Sequence, residues 1–327
     1  MSLTHKDAHP RSLNDPVVEW LLDSDPSMRW QVMRDLTDAR TAIVAAERAR
    51  VTSEGWGALL LDQQRPDGQW GDGVATPFWW SNLYTLVFLR DLGLDRTSPR
   101  VRAAIDRVRD NITWGPGFGD SPFFEGEVEP CINGRVVALG AYFGERSDRL
   151  VDRLLSEQLG DGGWNCEAER GSVRSSFHTT ICVLEGLVAF EQTFGATPSV
   201  TDARKHAHEY LLDRRLLRRL STGEVIKDRK ADQPWMQFAF PPLWHYDVLR
   251  ALDYLRRGPR AARCASRGGR RDRARAPPGR RALAARRATQ EHRPRGIGRP
   301  GRRAESLDHV ARAPGAGLVC TSRPNER

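Results

Sequence analysis

Three short stretches carry side chains that bind metals or move protons. Glu127-Val-Glu129-Pro130-Cys131 sets two carboxyls and a thiol within five residues. Ser176-Phe-His178-Thr-Thr adds an imidazole 47 positions after Cys131, and Trp244-His245-Tyr-Asp247 adds another imidazole and a carboxyl. Carboxylate, thiolate and imidazole are the donors that zinc takes. A carboxyl held in a cleft also serves as a general acid or base. Plainer jobs compete at each position. Cys131 also reads as a packed thiol, His178 as a hydrogen-bonded imidazole, and Asp247 as a first-turn acid favoured by the helix dipole. Cys166 and Cys182 read as packing.

The elements that must position these groups are helical. Asp15-Pro16 and Asp25-Pro26 each set a capping acid before a proline at the first helical position. Apolar residues follow at spacings of three and four, and Ala- and Leu-rich helix continues through residues 38–64. A repeat comes next. Gln64-Arg-Pro-Asp67-Gly68-Gln-Trp70 and Gln158-Leu-Gly-Asp161-Gly162-Gly-Trp164 share Q-x-x-D-G-x-W, 94 residues apart. A degenerate copy, Trp114-Gly-Pro-Gly-Phe-Gly-Asp120, lies between them, leaving tryptophan spacings of 44 and 50 residues. Each spacing holds one helical hairpin. After each turn a helix with a polar start and an apolar body is expected, beginning at Trp80, Pro130, Phe177 and Trp244. No run shows strand alternation. A lone hairpin cannot bury its apolar face, so the hairpins must stack into an all-α array.

Composition divides the chain. All 26 aromatic residues precede position 258. Residues 258–327 hold 19 Arg, no Lys and 5 acids, a charge of +14, so the chain's +9 leaves −5 for residues 1–257. A mildly acidic body argues against a specific nucleic-acid partner. No apolar stretch reaches the ~20 residues that span a bilayer. The opening residues lack a signal-peptide core, and the five cysteines have no paired spacing. Together these features read as a cytoplasmic protein.

The Q-x-x-D-G-x-W copies resemble the QW motif of squalene and oxidosqualene cyclases, with related turns in protein prenyltransferase β subunits. The likeness covers roughly residues 50–257. It implies an α/α toroid of helical hairpins around an apolar central cavity, with an isoprenoid or other apolar small molecule as ligand. Cyclases of this kind use an Asp-x-Asp-Asp acid; here Glu129 would be the proton donor, with Pro130 in place of the last Asp. Prenyltransferases hold zinc with Asp-x-Cys and a later His; here the match is Glu129, Cys131 and His178. The basic residues that precede Asp-x-Cys in those enzymes are replaced by Phe123-Phe-Glu-Gly-Glu127. Lys227, Arg229 and Lys230 offer a distant substitute. Asp247 is a further candidate catalytic group, since the starts of these helices would converge. Trp79, Trp80, Trp235, Phe238, Phe240 and Trp244 suit a prenyl pocket, and their rings would favour a carbocation. The alternatives are a noncatalytic toroid that binds a lipid or a protein, or an inactive frameshifted copy of such an enzyme.

Arg, Ala, Gly and Pro make up 48 of the last 70 residues, starting abruptly after Arg257. We read residues 258–327 as a disordered tail translated out of frame, leaving the toroid without a final hairpin. The rival reading is a genuine basic arm. The coding DNA decides between them: another frame is expected to encode a Trp-containing helical hairpin, and if none does, the frameshift reading fails.

Overall fold

In the computed structural model, the described residues are 15–71, 81–226, 234–238 and 241–257. The chain divides into two compact units, Met1–Ser266 and Arg267–Arg327. The second unit and the whole expected tail, residues 258–327, lie outside the described residues. So do Trp79, Trp80, Phe240, Lys227, Arg229 and Lys230.

The first unit is all-α. Its helices are α1 (Pro16–Leu22), α2 (Pro26–Leu36), α3 (Thr41–Arg50), α4 (Gly55–Asp62), α5 (Asn82–Leu92), α6 (Pro99–Asn111), α7 (Pro130–Phe143), α8 (Asp148–Ser156), α9 (Phe177–Phe194), α10 (Pro198–Asp213) and α11 (Val248–Arg257). Among the described residues the only β pairings are two isolated bridges, and no helix is long and apolar enough to cross a membrane.

The expected starts are present. Asp15 accepts from the Val17 N–H at 2.9 Å and Asp25 from the Ser27 N–H at 2.8 Å. Residues 38–64 are not one helix, because a turn at residues 51–54 separates α3 from α4. The last helix begins at Val248, not at Trp244, and the Asp247 carboxylate caps it by accepting the Arg250 N–H at 2.7 Å.

Helices α5, α7 and α9 pack side by side, while α4 packs on α5, α8 on α7, and α10 on both α8 and α9. The two full repeat turns are built alike. Trp70 donates its indole N–H to Leu60 O, and Trp164 does the same to Leu154 O, both at 2.6 Å. Gln64 reaches from the turn after α4 to Ala104 O of α6 at 2.9 Å, and Gln158 reaches from the turn after α8 to Ala203 O of α10 at 2.8 Å. Gly68 and Gly162 hold left-handed φ of 89° and 97°. An added Cβ on either would fall within 2.7 Å of a carbonyl oxygen on the same neighbouring helix. The motif therefore joins a helix to the next one in its row. The Trp114 turn does not, since its indole donates forward to Phe123 O at 3.0 Å.

The tightest contact is between α7 and α9. A Cβ on Gly186 would stand 2.3 Å from Gly134 O, and one on Gly134 would stand 2.6 Å from Cys182 O. Glycine at both positions lets the two backbones touch. Polar groups within this packing are paired. Arg204 of α10 and Glu191 of α9 meet at 2.8 Å, both side chains 4% exposed. Arg250 of α11 forms a two-point pair with Glu185 of α9 at 2.8 and 2.6 Å. Burial alone would push Glu185 up, but Arg250, Arg90 and Arg135 hold it below the usual carboxylate range. His208 of α10 meets the Tyr254 hydroxyl of α11 at 2.5 Å.

Two measurements test this packing. Gly186→Ala should lose about 1–3 kcal/mol in urea unfolding, whereas Gly160→Ala, with nothing within 4 Å of the added methyl, should lose nothing measurable. Equal losses would mean that α7 and α9 are not in backbone contact. The second concerns His208, which burial and then the Arg204 charge push from 6.5 down to about 4. The native state thus refuses a proton that the unfolded state accepts. Stability should be full above pH 6.5 and fall by up to about 3 kcal/mol as the pH drops toward 4. His208→Gln should flatten that slope; an unchanged slope assigns it to other groups.

Candidate metal centre

The chain before α7 is fixed by its own polar groups. The buried Glu127 carboxylate accepts the N–H groups of Val128 at 2.6 Å and Glu129 at 2.9 Å. Asn133 grips the Glu127 backbone, accepting its N–H and donating to its carbonyl, both at 2.8 Å. Arg153 of α8 donates to the same carbonyl at 2.6 Å. Burial pushes the Glu127 carboxyl up, against the pull of the N–H groups of Glu129 and Val128. The exposed Glu129 side chain, at the N-cap position of α7, makes no cap bond. It turns to Cys131, whose thiol donates to Glu129 Oε2 at 3.5 Å.

The facing wall comes from the turn that follows Trp164. Thr180, on the first turn of α9, accepts the Trp164 N–H at 3.1 Å. Its neighbour Thr179 accepts the Cys166 N–H at 3.4 Å and lies 3.4 Å from Cys166 Sγ. The glycine contact between α7 and α9 sets these first turns beside each other. As a result Glu129, Cys131 and Cys166 present one carboxylate oxygen and two sulfurs all within 4.8 Å of one another. A hydrogen bond from Cys131, outweighing burial and helped by the Thr179 hydroxyl, draws the Cys166 thiol down. The same bond, with burial, holds Cys131 well above the usual thiol range.

Two of the three expected metal ligands, Glu129 and Cys131, are brought together. The third, His178, is not in the cluster. Neighbouring residues of a helix point about 100° apart; Thr179 faces Cys166, and His178 faces the segment before α11. There His178 Nδ1 accepts the Tyr246 N–H at 2.7 Å, and its ring packs edge-on to Trp235, Trp244 and His245 at 5.2–5.8 Å. Cys166 stands in the place expected of His178. Its position two residues beyond the repeat tryptophan, where a turn meets the start of α9, was the available signal. Cys182 is fully buried and donates to His178 O at 3.0 Å. Asp247, expected as a catalytic group, is buried and holds the start of α11.

Two thiolates and a carboxylate are a donor set that suits zinc, with a fourth position left for water or substrate. Glu127, Asn133 and Thr179 would stand behind those ligands and fix their orientation. No family model, no curated protein and no solved structure matches the chain.

Proposed function

We propose that residues 15–257 form a toroid-type array that binds an isoprenoid or other apolar small molecule, with zinc held by Glu129, Cys131 and Cys166 for a transferase-like reaction. The observation that carries this reading is the convergence of three ligand atoms within 4.8 Å at adjacent helix starts. Zinc bound there would lower the pKa of a coordinated nucleophile. The chain's own residues supply the rest. Glu127 and Asn133 keep the start of α7 rigid, and Thr179 donates to or accepts from Cys166 Sγ. A cyclase reading is weaker. Glu129 is exposed and bonded to the Cys131 thiol, and the buried Glu127 carboxylate is occupied by two backbone N–H groups.

Ring closure is part of the proposal. The charges of Asp253, Arg256 and Arg257 on α11 act on Arg34 and Asp35 of α2, which supports the second and the last described helices lying near each other. Incompleteness at the C-terminal end is proposed on a different ground. Helix α11, the last of the described residues, leaves Leu249 and Leu252 about half exposed. The alternative is a noncatalytic toroid that binds a lipid or a protein.

Elemental analysis of the purified full chain tests the centre. One zinc per chain is expected, lost in Cys131→Ala and Cys166→Ala and retained in His178→Ala. Loss in His178→Ala with retention in Cys166→Ala would restore the ligand set expected from sequence. No zinc in well-folded protein would remove the transferase reading and leave the binding one.

A further inference from the structure

We propose that Cys131 and Cys166 are a peroxide-sensitive thiol pair that closes into a reversible disulfide. The two sulfurs lie within 4.8 Å of each other, and each residue is only half buried. A bonded pair needs about 2.05 Å, a closure of at most about 3 Å that side-chain rotation and a small turn movement can supply. The two positions differ in rigidity in a useful way. Cys131 sits in the first turn of α7, while Cys166 lies in the turn segment that leads to α9. The third described cysteine, Cys182, is excluded, being fully buried with its thiol committed to His178 O.

The chemistry balances with a hydroperoxide as the oxidant. The Cys166 sulfur attacks one peroxide oxygen; an S–O bond forms, the O–O bond breaks, and the departing oxygen leaves as water or alcohol after taking up a proton. The Cys131 sulfur then attacks the sulfenic sulfur. The S–S bond forms, the S–O bond breaks, and the second oxygen leaves as water with the Cys131 proton. Two thiols are oxidised by two electrons in all, and one peroxide is reduced. A dithiol reductant reverses the step. Once closed, the pair leaves Glu129 as the cluster's one remaining donor, so the site could no longer hold a metal. That consequence rests on the zinc reading; the disulfide does not.

The test treats the reduced full chain with stoichiometric hydrogen peroxide, with and without prior chelation, and maps the peptides by mass. The expected product is one cross-linked peptide pair joining Cys131 to Cys166, lighter by two hydrogens and restored by a thiol reductant. In folded Cys131→Ser protein, a dimedone adduct should accumulate on Cys166 instead. Sulfinic acid without a cross-link, or a cross-link through Cys182, would overturn the proposal. A cross-link in protein that never held zinc supports it while the zinc reading fails. Zinc-containing protein that forms no cross-link even after chelation overturns it and leaves the zinc reading standing.

Discussion

The contact of α7 with α9 through Gly134 and Gly186 governs most of what surrounds it. Backbones that touch fix both the separation and the axial offset of two helices, because a side chain at either position would force them apart. The cluster lies at the adjacent ends of this pair. Its thiol and carboxylate come from the start of α7, and Thr179, on the start of α9, holds Cys166 across from them. A wider crossing would separate those donors without altering any of them.

The same packing imposes a polar interior. Arg135 donates to the carbonyls of Cys131 and Leu243, and Arg250 donates to those of Leu243 and His245 while pairing with Glu185. Residues 241–247, just before α11, form no helix, so their carbonyl groups need donors from elsewhere, and these arginines supply them. Buried guanidinium groups are costly without partners. Here the irregular backbone and the arginines satisfy one another, which ties α11 to α7 and α9 in addition to the apolar packing of Tyr246, Ala251 and Tyr254.

The fold class was legible because its signals were local and repeated. Asp-Pro caps, the two Q-x-x-D-G-x-W turns and the apolar spacing all agree with the helices found, and both motif tryptophans serve the structure. Where local signals ran out, so did the reading. The turn at Trp114 shares the residue type but not the hydrogen bonds, because no glutamine stands six positions before it. The start of α11 was placed early because Trp244, His245 and Tyr246 carry helix-compatible spacing, yet Asp247 is the cap. At the candidate centre, Glu129 and Cys131 were found from their own stretch. The choice between His178 and Cys166 depended on which face of α9 met the turn, and a 100° step between neighbouring residues is not encoded in residue type.

The glutamine bridges also set how unfolding would spread. In a stacked array, the strength of coupling between neighbouring units decides whether they melt together or one by one. Gln64 couples α4 to α6 and Gln158 couples α8 to α10, but no glutamine spans α6 and α8. That middle joint is made by other groups: Arg102 of α6 donates to Phe143 O and pairs with Glu145 beyond α7, and Tyr142 of α7 donates to Leu94 O. Each neighbouring pair in the row is thus coupled through polar side chains as well as apolar packing, so the hairpins from α4 to α10 should melt together rather than one by one.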